Sequence, residues 1–149
     1  KIIPVWDEFK DNVPNNLTFH EVLTLASIIE KESRVKSEMP LISSVFHNRL
    51  RKGMRLASDP TVLYALGEPI KKIVYYKDLE VKSPYNTYRN KGLPPGPIAS
   101  PSVDAFLSAL RPDKTPYYFF VATPKGTHAF TRTYEEHLEV QRKMKRQKK

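Results

Sequence analysis

The sequence predicts an α+β fold, mainly helical with one small antiparallel sheet. Three observations carry this reading. Several segments repeat apolar residues at three- and four-residue spacing between start and stop signals. Two short β-rich runs are joined by Thr123-Pro-Lys-Gly126. One long stretch punctuated by Pro and Gly has neither period. At 149 residues, 40% of them hydrophobic, the chain suffices for one domain with a real core but not for two.

In chain order, Ile2, Ile3, Val5, Trp6 and Phe9 give the first twelve residues an amphipathic look, the end of a truncated helix. Asn12 to Asn16, with Pro14, reads as a linker, so residues 1–16 are set apart from a domain over 17–149. Thr18 and Glu21 form a capping-box pattern before a helix reaching Ser33. On that helix Val22, Leu25, Ala26 and Ile29 share one face. Glu32 points near the same face, whereas Glu30 turns away and is placed to pair with Arg34 at i+4. An acid carried towards a core is costly unless paired or protonated. Glu32 is therefore either a frayed helix end in solvent or a functional group.

Ser37 is the expected cap of a next helix, with Pro40 in its first turn, a stripe of Leu41, Ile42, Val45, Phe46 and Leu50, and Gly53 as the stop. Asn48 lies close to that stripe and needs hydrogen-bond partners. Asp59 before Pro60 reads as the cap of a helix ending at Gly67, and capping alone explains it. Ile73 to Tyr76 reads as a short strand or turn, and Lys77 to Val81 is ambiguous. Residues 83–101, SPYNTYRNKGLPPGPIASP, are costly to order at this length unless the loop packs or works. Its Tyr85, Asn86, Tyr88 and Arg89 suit a sugar or peptide ligand; a pinned surface loop is the alternative. Ser100-Pro101 starts another helix with Val103, Phe106, Leu107 and Leu110 inward. A hairpin over 117–131 follows, and Thr133 with Glu136 caps the last helix.

The formal charge of +9 points to a polyanionic partner, though much of the excess sits in the tail from Arg142 to Lys149, a solvated helix end. With no cysteine there is no disulfide, thiolate nucleophile or Cys-based metal site. His20, His47, His128 and His137 show no metal-ligand spacing, and neither a phosphate loop nor a serine-hydrolase elbow is present. No nucleic-acid module matches. No apolar run approaches a membrane span, and the chain, opening inside a periodic segment, reads as an excised fragment. Carboxylate acid–base chemistry remains. A Glu at the apolar end of a helix is the lysozyme-like arrangement that lifts a carboxyl pKa into the neutral range. A hydrolase adds a second carboxylate, for which Asp59 is the candidate.

Four blocks resemble the endolytic murein transglycosylase (MltG, YceG-like) family: ASIIEKES, VFHNRLRKGMRLASDPTVLYALG, SPYNTYRNKGLPPGPIASPS and YYFFVA…GTHAFTRTYEEH. They come in the family's order and span about 17–137. The resemblance implies a cofactor-free lyase acting on peptidoglycan glycan strands, with Glu32 as catalytic acid and then base, and Ser33 beside it. It implies that Asn48, Asp59, Tyr85, Asn86 and Tyr88 grip the sugar. It also implies that the parent protein carries an N-terminal membrane helix and a LysM-like region, absent here, and works at the outer face of the cell membrane beside penicillin-binding synthases. Three other readings stand against it: a muramidase using Glu32 and Asp59, a non-catalytic wall-binding module, and a nucleic-acid binder.

Overall fold

The computed structural model describes residues 1–67 and 73–147; Lys148 and Lys149 of the basic run lie outside them. Among the described residues the order is α1 (Ile2–Phe9), α2 (Phe19–Glu32), α3 (Met39–Lys52), α4 (Asp59–Leu66), α5 (Val103–Leu110), β1 (Phe119–Ala122), β2 (His128–Thr131) and α6 (Tyr134–Gln147). The fold is α+β, with a two-stranded antiparallel sheet whose register pairs Phe119 with Thr131 and Ala122 with His128.

α2 is the axis of the molecule. Thr18 Oγ1 accepts from the Glu21 amide, and Glu21 Oε1 accepts from the Thr18 amide, which fixes where the helix begins. Val22, Leu25, Ala26, Ile28 and Ile29 are fully buried against Phe46 of α3 and Phe106 of α5. Burying each large side chain contributes about 1.5–3 kcal/mol. Two hydroxyls on the same helix are also buried, and both are satisfied: Thr24 donates to the His20 carbonyl and Ser27 to that of Thr24.

Several local expectations give way to tertiary contacts. Residues 12–16 are no loose linker: Asn15, at φ 57°, donates to the His47 carbonyl at 3.1 Å and to His47 Nδ1 at 3.0 Å. His47 Nε2–H in turn donates to the Ala109 carbonyl, and burial pushes the imidazole pKa down, so the ring is held neutral. α1 packs Val5, Trp6 and Phe9 on the common core, with Trp6 edge-on to Phe19, so residues 1–16 are not set apart from the rest. α3 starts at Met39 instead of being capped by Ser37. Glu38 precedes it, and its carboxylate has turned to the hairpin, accepting from the His128 amide and Nδ1–H at 2.9 Å each. α5 is capped by Ser102, whose own amide donates to Glu30 Oε1 at 2.7 Å. That bond ties the end of α2 to the start of α5, and it takes Glu30 away from Arg34. The buried face of α5 is Ala105, Phe106, Ala109 and Leu110, while Leu107 is exposed. The helix starts two residues later than its Ser-Pro signal suggests, and Ala109 takes the inward place expected of Leu107. α6 has its capping box at Thr133 and Glu136. Among the described residues no helix is long and apolar enough to cross a membrane.

Candidate active site

The sequence ends α2 at the residue that needed explaining. Glu32 is the last residue of the helix, and Ser33 turns the chain into extended backbone. The Ser33 hydroxyl is spent on the Ile29 carbonyl at 2.8 Å, so it is not the serine that serves Glu32. That serine is Ser58, whose Oγ donates to Glu32 Oε1 at 2.9 Å.

Ser58 is itself held rigidly. Its amide donates to Thr87 Oγ1 at 2.9 Å, and its carbonyl accepts from Thr61 Oγ1 at 2.7 Å. Thr61 and Thr87 lie 2.8 Å apart, both buried. Because Thr61 spends its proton on Ser58, Thr87 must be the donor of that pair. Ala57, one residue earlier, sits at φ 49°, a left-handed angle that costs a residue with a Cβ about 1 kcal/mol. Arg49 anchors the approach to this turn, donating to the carbonyls of Arg55 and Leu56 at 3.1 Å and to that of Tyr118 at 2.7 Å.

Ser58 is also the residue before α4, and this corrects the role expected of Asp59. Asp59 is inside the first turn, not its cap, and its carboxylate accepts a short hydrogen bond from the Tyr88 hydroxyl. Burial and the neighbouring Asp59 push the Tyr88 phenol pKa up, so it stays a donor. Both line a cleft of about 770 Å³ with Glu32 and Arg49. Phe119 to Ala122 of β1, His128, Tyr134 and His137 also line it. The His137 ring stacks on Phe119 at 5.3 Å.

Within this cleft the Glu32 carboxyl is enclosed by protein atoms, although the residue keeps some exposed surface. Loss of solvation pushes its pKa from 4.5 up to about 7, and the Asp59 charge acts in the same direction. The carbonyl end of α2 also disfavours a negative charge there. The Ser58 hydrogen bond and Arg49 pull the pKa down, but burial prevails. At neutral pH the group is therefore divided between acid and base forms, and it can both give and take a proton.

Glu32, Asp59 and Tyr88 meet here; the other expected sugar-gripping residues do not. Asn86 is fully buried and spends its side chain internally, donating to the carbonyls of Leu79 and Val81 and accepting from the Tyr88 amide. It shapes the loop that presents Tyr88. Tyr85 packs its ring 4.8 Å from that of Tyr64, with its hydroxyl close over Gly96, where a Cβ would stand 3.4 Å away. Asn48 braces the segment before β1, donating to the carbonyls of Thr115 and Tyr117 and accepting from Arg51. It lines a separate hollow of about 870 Å³ between α3 and residues 111–116, which Glu32 does not reach. Among the described residues no group of three or more His, Asp or Glu side chains could hold a metal ion.

The profile of the YceG-like family matches residues 5–143. The chain belongs to the YceG-like family. An endolytic murein transglycosylase of Bacillus subtilis is 50% identical over 129 residues, which is 87% of this chain and 36% of that protein. The endolytic murein transglycosylase of Streptococcus pneumoniae D39 is 40% identical over 127 residues, 82% of this chain and 23% of its own length. The chain thus spans about a third or less of these curated relatives. A crystal structure of a YceG-like protein from Listeria monocytogenes is 49% identical and superposes with a TM-score of 0.83, over 93% of this chain and 44% of that one. Sequence reasoning placed Glu32 on the apolar side of its helix but did not single out Ser58, Thr87 or Arg49. Reading Ser58 as the cap, one residue before Asp59, would have released Asp59 to the cleft.

Proposed function

We propose that this YceG-like domain is a lytic transglycosylase that cleaves peptidoglycan glycan strands endolytically between N-acetylmuramic acid and N-acetylglucosamine. The observation that carries the proposal is Glu32, a carboxyl whose pKa lies at about 7 on the floor of an open cleft. Glu32 in its acid form donates its proton to the oxygen leaving C1 of the muramic acid, and the C1–O bond breaks. The C6 hydroxyl of the same sugar then bonds to C1, and its proton returns to the Glu32 carboxylate. The product is a 1,6-anhydromuramoyl end, and no water is consumed. Tyr88 and Asp59 bind the sugar, with the Asp59 charge favouring the positive charge that develops at C1.

The parent protein, in this proposal, is anchored by an N-terminal membrane helix, carries a LysM-like region, and trims nascent strands at the outer face of the cell membrane beside penicillin-binding synthases. A second reading has gained support from the release of Asp59 from capping. With its carboxylate in the same cleft as Glu32, it could activate water in a two-carboxylate muramidase. Mass spectrometry of ends released from uncrosslinked strands separates the two, since the anhydro end is lighter than the hydrolysed one by one water. Anhydro ends with the wild type, lost in Glu32→Gln, are the expected result. Reducing ends support the muramidase, and equal activity in Glu32→Gln removes Glu32 from both mechanisms.

A further inference from the structure

The cleft holds cations that the chemistry at Glu32 does not use. Three line it: Lys31, Arg34 and Arg49. Arg49 is committed to three carbonyls. Lys31 and Arg34 are exposed and make no hydrogen bond or ion pair among the described residues. Two residues further on, Lys36 pairs with Asp104 at 3.1 Å, so a carboxylate partner is available to this segment where the fold supplies one. The acids around Lys31 and Arg34 are otherwise engaged: Glu30 with the Ser102 amide, Glu38 with His128, and Asp59 with Tyr88. Glu32 itself accepts from Ser58, and both cations line the same cleft as its carboxyl.

Resting on the transglycosylase reading, we infer that Lys31 and Arg34 form a cationic rim that binds the carboxylate carried on C3 of the muramic acid ring. An uncharged sugar offers neither of these cations a partner. Muramic acid, unlike glucosamine, carries a lactyl ether on C3. In a bare strand it ends in a carboxylate, and in a substituted one it leads to a stem peptide with carboxylates of its own. The ring that is cut at C1 is the ring that carries this group, so in a bare strand its charge arrives next to Glu32 whatever the strand length, and in a substituted strand the stem carboxylates follow from the same atom. The rim thereby distinguishes muramic acid from glucosamine on the side of the bond where the anhydro ring forms. A bidentate Arg34 suits a planar carboxylate, and Lys31 adds a point charge.

The test reads affinity separately from turnover. In a Glu32→Gln background, calorimetry compares the protein with and without Lys31→Gln and Arg34→Gln. The ligands are amidase-stripped strand fragments, peptide-bearing fragments and a neutral chitooligosaccharide. The double substitution is expected to weaken strand binding about three- to tenfold, to flatten its salt dependence, and to leave the chitooligosaccharide unchanged. Loss confined to stripped strands assigns the lactyl carboxylate; loss confined to substituted ones assigns the stem. Strand affinity unchanged by the double variant, or chitooligosaccharide weakened equally, overturns the rim. Absent binding to any strand overturns it together with the transglycosylase reading. Charge-dependent binding in a protein that releases no anhydro ends keeps the rim and sinks only the chemistry. Melting temperature controls for the ordinary favourable effect of a cation in the last turn of α2.

Discussion

Replacing Ser58 with alanine isolates the one hydrogen bond that the fold donates to the Glu32 carboxyl. Its 2.9 Å geometry stabilises the carboxylate and lowers the pKa against the larger effect of burial. A hydrogen bond to a charged group in a partly buried setting is worth about 1.5 kcal/mol, or roughly one pKa unit. Removing it should carry the Glu32 pKa from about 7 towards 8. In the proposed reaction the acid form acts first, so activity should fall as pH rises through this pKa. The alkaline limb of kcat/KM should therefore move up by about one unit. The ratio of rates at pH 8 and pH 6 should rise about fivefold, even if the absolute rate drops because the carboxyl is less well aimed. The assay is the initial rate of anhydro-end release from uncrosslinked strands between pH 5 and 9. The fold should hold, because Thr61 and Thr87 grip the Ser58 backbone and not its side chain. An alkaline limb that stays put or moves down would refute the role given to Ser58.

Asp59→Asn tests the opposite sign: it removes a charge that raises the Glu32 pKa, so the limb should move down while the amide oxygen can still accept from Tyr88. Persistence of anhydro ends in that variant is also expected, and its conversion to complete inactivity would favour the two-carboxylate reading. Glu32→Gln should stabilise the fold at high pH. The folded pKa exceeds the unfolded value, so the native state holds its proton more tightly and stability declines as pH rises from 4.5 to about 7. Chemical denaturation should show the variant ahead by up to about 3 kcal/mol at pH 8, and level with the wild type below pH 4. Phe106→Ala empties a fully buried site beside Phe19 and should cost about 3–5 kcal/mol by the same measurement.

The fold was legible where the signals are local and failed where a distant partner outbid them. The capping boxes at Thr18 and Thr133 and the hairpin need only neighbours a few residues away, and they stand as read. Ser37 and Glu30 have equally good local explanations, yet neither has the expected partner. The Glu38 carboxylate beside Ser37 found a histidine ninety residues downstream, and Glu30 found the amide of Ser102, seventy-two residues on. Such pairings depend on how α5 and the hairpin settle against α2, which no helical period encodes.

At the site the same division has a chemical consequence. Periodicity alone put Glu32 on the apolar side of its helix, because desolvation follows from what surrounds a position and the surroundings of a helix face repeat. Hydrogen-bond partners do not repeat. Asn48 and Asn86 are polar residues able to hold sugar, but an amide buried in protein must satisfy both ends: Asn86 does so on backbone alone, and Asn48 on two carbonyls and the Arg51 side chain. Both are one step removed from the cleft: Asn86 holds the loop of Tyr88, and Asn48 braces the segment that leads into β1. Ser58 is the reverse case. It sits in a turn that two threonines clamp and that Ala57 enters at a left-handed angle, and the clamp leaves its hydroxyl one acceptor, Glu32. A residue serves the reaction here when the fold has left it a polar atom unspent or aimed at the acid. In the proposed reaction Glu32, Ser58, Asp59 and Tyr88 are the working set, because they meet at one cleft, and the two asparagines belong to the frame around it.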